Sequence, residues 1–176
     1  VGDQYSVGEL VKAMLVGSSN DAAEAIADFY GRQNFIDQMQ IKASLLGSEQ
    51  TAFVDPTGIS FLGQGSIEDL EKMVSYIYKS HPEIFQITRE KQVALLELGK
   101  GKQNQLLNIN NFSANSRPDF YGGKTGFTEQ AGGNLISIFE YQGHKILLIV
   151  FGADDRFGQT EILYDWVKEA YSFLSV

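Results

Sequence analysis

The sequence predicts an α+β fold in which an antiparallel sheet packs against helices, with a helical lobe beside it. Residues 1–90 carry apolar side chains at the three- and four-residue spacing that is typical of amphipathic helices. Residues 91–176 carry extended segments followed by one closing helix. A chain of 176 residues is long enough for one domain with a sizeable core. We therefore interpret residues 1–176 as a single domain, helical over 1–90 and built of strands and a C-terminal helix over 91–176.

Three helices are predicted before residue 48. The first begins at Val7, with Ser6 as its N-cap and Glu9 as the capping-box partner three residues later. Gly17 and the polar residues that follow it interrupt this helix. The second helix then runs from about Asn20 to Gly31, and the third from about 34 to 46. The side chains expected to face the core are Ala23, Ile26, Ala27 and Tyr30 in the second helix and Phe35, Met39 and Ala43 in the third.

A fourth helix is predicted from Ser66 to about Lys79. Ser66 is a suitable N-cap, the acidic residues after it favour the positive end of the helix dipole, and His81-Pro82 ends the helix. Several aromatic residues at helical spacing are expected to pack in the core: Phe29, Tyr30, Tyr76, Tyr78 and Trp166.

The second half predicts strands. Residues 92–98 are expected to be extended, 99–102 to form a turn and 108–115 to form a loop. Residues 121–127 are expected to be extended. Residues 135–141 and 145–151 flank Gln142-Gly143-His144 and predict a β-hairpin. A last helix is expected over 160–174, with a buried face made by Ile162, Leu163, Trp166, Ala170 and Phe173.

Composition excludes several classes of function. The chain has 22 acidic and 14 basic residues and a net charge of −8, so the basic excess of a nucleic-acid-binding protein is missing. No apolar run reaches the roughly 18–20 residues of a membrane-spanning helix. The chain has no cysteine and two histidines, which predicts no thiol catalysis and no metal site. Nothing in the sequence calls for a cofactor.

Two short motifs carry residues suited to catalysis. Ser18-Ser19-Asn20 lies in the break between two predicted helices, and Lys124-Thr125-Gly126 follows Gly122-Gly123 on a predicted strand. Each motif alone also has an ordinary structural explanation. The first is compatible with a cap of the second helix, and the second with the solvent-facing end of a strand.

Taken together and in this order, the motifs resemble two of the three motifs of penicillin-binding proteins and serine β-lactamases, which are Ser-x-x-Lys, Ser-x-Asn and Lys-Thr-Gly. The flanking sequence narrows the resemblance to the low-molecular-mass D-alanyl-D-alanine carboxypeptidases, peptidase family S11, and a β-lactamase/transpeptidase-like fold is therefore expected. The segments that carry it are 5–7, 13–23, 53–58, 108–110, 123–128 and 131–132.

The resemblance implies a role for each motif residue. Lys124 would bind the free carboxylate of a peptidoglycan stem peptide ending in D-Ala-D-Ala, and Thr125 would add a hydroxyl donor. Gly126 would let the extended substrate lie close to the strand. Asn20 would hydrogen-bond the amide groups of the substrate, and Ser18 would relay a proton to the leaving amine.

Two further residues are candidates. The resemblance implies that the backbone N–H of Phe127 contributes to an oxyanion hole, which leaves its side chain free to vary. Arg156 lies where the family often has an arginine facing the cleft. The alternative for Arg156 is a surface residue paired with Asp154 or Asp155.

The nucleophile of the family lies in Ser-x-x-Lys, and no serine of the 176 residues has a lysine three positions later. We interpret the chain as a fragment of a longer carboxypeptidase that lacks this N-terminal part, and we expect the chain alone to be inactive. A serine β-lactamase and a non-catalytic peptidoglycan-binding module remain alternatives. A generic structural domain, the last alternative, requires that Ser18, Asn20 and Lys124 lie far apart. The implied partners are stem peptides and β-lactam antibiotics, and the implied location is outside the cytoplasmic membrane.

Overall fold

The computed structural model describes residues 2–173 of the chain. Within that range it contains seven helices and five strands. Their bounds are α1 Val7–Val16, α2 Asn20–Tyr30, α3 Arg32–Leu45, α4 Ile67–Ser80, α5 Pro82–Arg89, β1 Gln92–Glu97, β2 Lys102–Leu107, α6 Asn111–Ala114, β3 Phe120–Thr128, β4 Gly132–Tyr141, β5 His144–Ala153 and α7 Arg156–Ala170. The predicted α+β class, with helices packed on an antiparallel sheet, is confirmed.

The strands form two separate antiparallel sheets. β3, β4 and β5 pair in chain order, so β4 is the central strand and β3 lies at one edge. β1 and β2 form a hairpin of their own. In the larger sheet Lys124 lies opposite Ile136 and Thr125 opposite Leu135. One edge of β3 is therefore free of strand pairing within the described residues.

An aromatic core joins the three-stranded sheet to α7. Phe139 from the central strand and Tyr164 from α7 are fully buried and stack with ring centroids 4.4 Å apart. The guanidinium of Arg117 lies 4.9 Å from the centre of the Phe139 ring, and it pairs with Asp119 and Glu161. The remaining members of the core are Phe112, Phe120, Leu135, Leu148 and Val167. This core holds β3, which carries Lys124-Thr125-Gly126, in a defined position.

The helix starts predicted from capping residues are confirmed. The side chains of Ser6 and Ser66 accept hydrogen bonds from the third backbone N–H beyond each of them. The predicted capping box at α1 is wrong for its second hydrogen bond, which would run from the backbone N–H of Ser6 to the Glu9 carboxylate. That carboxylate instead accepts from the backbone N–H of Leu96 and from Lys12. Glu9 thus links α1 to β1, a contact across 87 residues that no local pattern predicts.

The prediction that the aromatic residues at helical spacing pack in the core is wrong for most of them. Phe29 is 71% exposed, Tyr30 54% and Trp166 52%, and Tyr78 is also exposed. Only Tyr76 is partly buried. Ala23, Ile26 and Ala27 bury the inner face of α2 as predicted, but Tyr30, at the last position of the helix, is exposed. Helical spacing identifies residues that share a face, but it does not say which face another element covers.

The C-terminal helix differs from its prediction in start and orientation. α7 begins at Arg156, where the carboxylate of Asp155 caps it through the N–H of Gly158. Its buried face is made by Thr160, Tyr164 and Val167, whereas Ile162 and Trp166 are exposed. The predicted end at Leu174 lies outside the described residues.

Three elements escape the sequence patterns. α5 begins at the proline that ends α4, because proline is well suited to the first position of a helix. β2 has the polar sequence Lys-Gln-Asn-Gln-Leu-Leu and forms by pairing with β1. The predicted loop over 108–115 contains the single helical turn α6.

Candidate active site

The break between α1 and α2 displays Ser18. Its backbone φ is +51°, a left-handed conformation that is uncommon outside glycine. The backbone N–H groups of Gly17 and Ser19 both donate to the carbonyl of Ala13, which fixes the turn. Ser19 then caps α2 by accepting from the N–H of Ala22. The capping role in this motif therefore belongs to Ser19, and the side chain of Ser18 is available for another contact.

That contact is made with Lys124, 106 residues further along the chain. The Nζ of Lys124 donates to the Oγ of Ser18 at 2.8 Å and to the carbonyl of Thr125 at 2.7 Å. The helix break and the edge strand β3 thus meet at one point. The generic structural domain, which required these residues to lie far apart, is wrong.

Some backbone N–H groups of β3 point towards its unpaired edge. The N–H of Gly123 donates to the hydroxyl of Thr88 on α5, so it points away from β4. Backbone groups alternate in direction along an antiparallel strand, and no register shift occurs between 122 and 128. The N–H groups of Thr125 and Phe127 therefore also point away from β4, towards the open edge. A backbone donor at Phe127 is thus directed away from the sheet.

Arg156, the first residue of α7, also contacts β3. Its Nη1 donates to the carbonyl of Gly126 at 2.8 Å, so the side chain reaches β3 from the start of α7. Among the described residues it forms no ion pair with Asp154 or Asp155, and Asp155 is occupied in capping α7. The structure therefore places Arg156 beside Lys124-Thr125-Gly126, as the family resemblance implies.

These residues line one cleft of about 420 Å³. Every residue that the sequence selected contributes to its wall: Ser18, Asn20, Lys124, Thr125, Gly126, Phe127 and Arg156. Sequence reasoning assigned no site role to the remaining lining residues, which are Met14, Ser19, Ala23, Pro56, Thr57, Gly58, Ile59 and Ile109. The turn sequence Asp55-Pro56-Thr57-Gly58 was a usable signal, since such turns often hold binding loops.

Burial sets the electrostatics of the cleft. Burial, and to a smaller extent the neighbouring charge of Arg156, together lower the pKa of Lys124 from 10.5 to about 8. Both effects penalise the ammonium form of Lys124. An anion that enters the cleft relieves them, because it compensates two cations at once.

Other kinds of site are not found in the described part of the chain. Residues 2–173 hold no group of three or more acidic or histidine side chains placed to bind a metal ion. Over the same residues, every helix is too short or too polar to cross a membrane.

The fold and the cleft define the class of protein. The chain is similar to penicillin-binding protein D2 of Listeria monocytogenes in its ampicillin-bound form, with a TM-score of 0.80, 32% identity and coverage of 92% of this chain and 66% of that one. It also superposes on a D-alanyl-D-alanine carboxypeptidase of Mycobacterium tuberculosis with a TM-score of 0.82 at 24% identity, covering 98% of this chain and 67% of that one, a likeness of fold alone. The protein has the fold of the penicillin-binding proteins.

The family follows from the sequence comparison. The profile of the D-alanyl-D-alanine carboxypeptidase family, Peptidase_S11, matches residues 1–155, so the chain belongs to this family. Its relatives include the D-alanyl-D-alanine carboxypeptidase DacC of Escherichia coli, 32% identical over 171 residues. They also include a D-alanyl-D-alanine endopeptidase of Pseudomonas aeruginosa, 30% identical over 179 residues. The matches cover 94% and 96% of this chain but only 41% and 56% of those two relatives.

Proposed function

We propose that the cleft binds the free C-terminal carboxylate of peptidoglycan stem peptides that end in D-Ala-D-Ala. We further propose that it serves a serine-type carboxypeptidase reaction, in which the terminal D-Ala is removed through an acyl-enzyme. The observation that carries the proposal is the contact of Lys124 with Ser18 in a cleft along the open edge of β3. Membership of the D-alanyl-D-alanine carboxypeptidase family supports the same assignment.

Each residue of the cleft has a part in this reaction. Lys124 and Arg156 attract the carboxylate, and the hydroxyl of Thr125 donates to it. An extended peptide lies along the free edge of β3 and uses its unpaired backbone groups. The N–H of Phe127 stabilises the oxyanion of the tetrahedral intermediate. Ser18, at 2.8 Å from Lys124, passes a proton to the departing amine.

The reaction also needs a nucleophilic serine with an adjacent base. The 176 residues contain no Ser-x-x-Lys pair, so the residues of the cleft do not supply this nucleophile. We accordingly propose that the chain by itself binds stem peptides without turning them over. Because peptidoglycan lies outside the cytoplasmic membrane, the protein would act there.

β-Lactam antibiotics are proposed as a second class of ligand. The Listeria relative has been solved with ampicillin and with cefotaxime bound. Both compounds carry a carboxylate, which the pair Lys124 and Arg156 is suited to bind. In the absence of the nucleophile we expect this binding to be reversible.

The binding proposal is tested by isothermal titration calorimetry of the 176-residue chain with N-acetyl-L-Lys-D-Ala-D-Ala. We expect the free acid to bind at least about tenfold more tightly than the same peptide with an amidated C-terminus, because the amide lacks the charge that the two cations compensate. An L-Ala-L-Ala peptide is the control for stereochemistry. Equal affinities for the acid and the amide would refute the proposal.

A pH titration provides an independent test. The carboxylate is attracted by the protonated form of Lys124, whose pKa is about 8. The binding-competent fraction falls as pH rises through that value, so the apparent dissociation constant should increase about tenfold between pH 7 and pH 9. The amidated peptide should show no such trend. A flat profile for the free acid would exclude Lys124 as the charged ligand.

A non-catalytic binding module is the second candidate, because the residues of the cleft account for binding of a carboxylate but do not include a nucleophile. Both candidates bind stem peptides, but only the carboxypeptidase hydrolyses them. Release of D-alanine from the peptide, measured on the protein in the form the cell produces, separates them. Release of D-alanine would exclude the binding module, and binding without release would exclude the carboxypeptidase.

A further inference from the structure

The pairing of β4 with β5 is irregular at one point near the end of the sheet. Two residues of β5, Phe151 and Gly152, lie opposite the single residue Asn134 of β4. This arrangement is a β-bulge, and a bulge changes the direction in which its strand continues. Gly152 has a φ of +64°, a left-handed conformation that glycine adopts without strain. The direction of the chain after β5 is therefore set at Gly152.

The side chain of Asn134 holds this bulge. Its Oδ1 accepts from the backbone N–H of Gly152 at 3.1 Å, and its Nδ2 donates to the carbonyl of Gly132 at 3.2 Å. On the other side of β4, Asn134 lies opposite Gly126 of β3. One carboxamide thus ties the bulge of β5 to the central strand, at the level of Gly126.

The chain that leaves the bulge leads directly to Arg156. Three residues separate Gly152 from Arg156, the first residue of α7. A Cβ added at Gly133 would be 3.4 Å from both the Cβ and the Cδ of Arg156, so the stem of the arginine lies against β4. The same Cβ would be 2.5 Å from the carbonyl oxygen of Ala153, so the connection is closely packed. The Arg156 side chain therefore runs along the backbone next to Asn134 before it reaches β3.

Few contacts hold the guanidinium of Arg156. Its Nη1 donates to the carbonyl of Gly126 at 2.8 Å, and its central carbon lies 5.2 Å from the centre of the Phe157 ring. Among residues 2–173 it has no ion-pair partner. Because no carboxylate fixes the guanidinium, its position depends on where the bulge and the start of α7 place the backbone.

We propose that Asn134 is a positioning residue for Arg156. By holding the bulge at Gly152, its carboxamide sets the start of α7 so that the guanidinium reaches Gly126. The inference rests on the proposed function, in which Arg156 and Lys124 attract the carboxylate of the ligand. Asn134 does not line the cleft, so it acts through Arg156 and not by touching the ligand.

The first test compares Asn134→Ala with the unmodified chain by calorimetric titration with N-acetyl-L-Lys-D-Ala-D-Ala, as the free acid and as the C-terminal amide. We expect the free acid to bind at least about threefold more weakly, within the range of coupling between interacting residues. The affinity for the amide should stay within about twofold, because the amide lacks the carboxylate that Arg156 attracts. Asn134→Leu removes the same two hydrogen bonds with a closer match of shape, and it replaces Asn134→Ala if that variant does not fold.

A double-mutant cycle with Arg156→Ala decides whether Asn134 acts through Arg156. In a chain that already carries Arg156→Ala, adding Asn134→Ala should change the affinity for the free acid by less than about twofold. A residue that only shaped the cleft would lower the affinity equally in both backgrounds, and that result would overturn the inference. An unchanged affinity of Asn134→Ala for the free acid would overturn it too, as would an equal loss for acid and amide.

Asn104→Ala is the matched control. Asn104 is a partly buried asparagine on β2, and its Nδ2 donates to the hydroxyl of Tyr5 at 3.3 Å. The change removes a side-chain hydrogen bond from a strand outside the three-stranded sheet, so both affinities should stay within about twofold. A loss for the free acid as large as that of Asn134→Ala would count against a specific role of Asn134.

A measurement without peptide separates this inference from the proposed function. In heteronuclear NMR the guanidinium of Arg156, assigned by its loss in Arg156→Lys, should show separate Nη resonances because the contact with Gly126 restricts its rotation. Asn134→Ala should average these resonances, and Asn104→Ala should not. Unchanged Nη resonances in Asn134→Ala would overturn the inference. Equal binding of acid and amide by the unmodified chain would overturn the proposed function, and the NMR result would then decide the inference by itself.

Discussion

Replacing Lys124 by methionine should weaken binding of a D-Ala-D-Ala peptide by at least about 30-fold, since truncating one partner of a buried charge pair costs about 2–5 kcal/mol. Methionine keeps much of the length of the side chain and removes its charge. The folded state should be no less stable at pH 7, because burial disfavours the ammonium there, as the lowered pKa of Lys124 indicates. Calorimetric titration measures the affinity, and thermal unfolding measures the stability.

The sign of the stability effect can be checked with pH. The pKa of Lys124 is about 8 in the folded chain and near 10.5 when unfolded, so the unfolded state holds more protons between those values. The unmodified chain should therefore gain stability as pH rises through this window, and Lys124→Met should lack that gain. Lys79→Met, at an exposed position on α4, is the control that should change neither quantity. Retained peptide affinity in Lys124→Met would contradict the assigned role.

Replacing Gly123 by alanine should destabilise the fold strongly. A Cβ at this position would lie 2.2 Å from the carbonyl oxygen of Ile136 on the neighbouring strand and 3.2 Å from the ring of Phe120. Both neighbours are fixed, the first by the sheet and the second by the aromatic core. We expect a loss of about 2–3 kcal/mol, the upper part of the range for overpacked sites. In a chain of this size that corresponds to a fall of roughly 5–10 °C in the unfolding midpoint.

Gly126→Ala is the matched control, because it makes the same change three residues further along β3. A Cβ at Gly126 would meet only the Cβ of Asn134, at 3.7 Å, an ordinary contact. We expect its unfolding midpoint to stay within about 2 °C of the unmodified chain. Equal midpoints for Gly123→Ala and Gly126→Ala would show that β3 shifts to accommodate the added methyl group.

Local patterns predicted the elements whose causes lie within a few residues. Ser6 and Ser66 cap their helices through bonds that span three residues, and the turn at Gln142-Gly143 joins β4 to β5. The alternation and spacing of apolar residues then assigned most helices and strands. β2 was missed because its polar sequence has little strand character, and it forms only by pairing with β1.

The candidate site was predicted in part. The two motifs selected Ser18, Asn20, Lys124, Thr125 and Gly126, and the family resemblance added Phe127 and Arg156. All seven residues line the cleft. The loop at Asp55 and the exposed Ile109 were not selected as site residues. Their contribution depends on buried hydrogen bonds to distant backbone groups, such as those of Asn108 to Thr88 and Glu90, which are 20 and 18 residues away.

The sequence by itself determined the fold class, the starts of α1, α2 and α4 and the two motifs, because capping, hydrophobic spacing and turn chemistry act over short stretches of chain. Only the tertiary structure decided which helix faces are covered, which left Trp166 in solvent and buried Tyr164. It alone brought Lys124 to Ser18 across 106 residues and placed Arg156 beside them. The burial and charge that lower the pKa of Lys124 arise from that packing, and no local pattern encodes them.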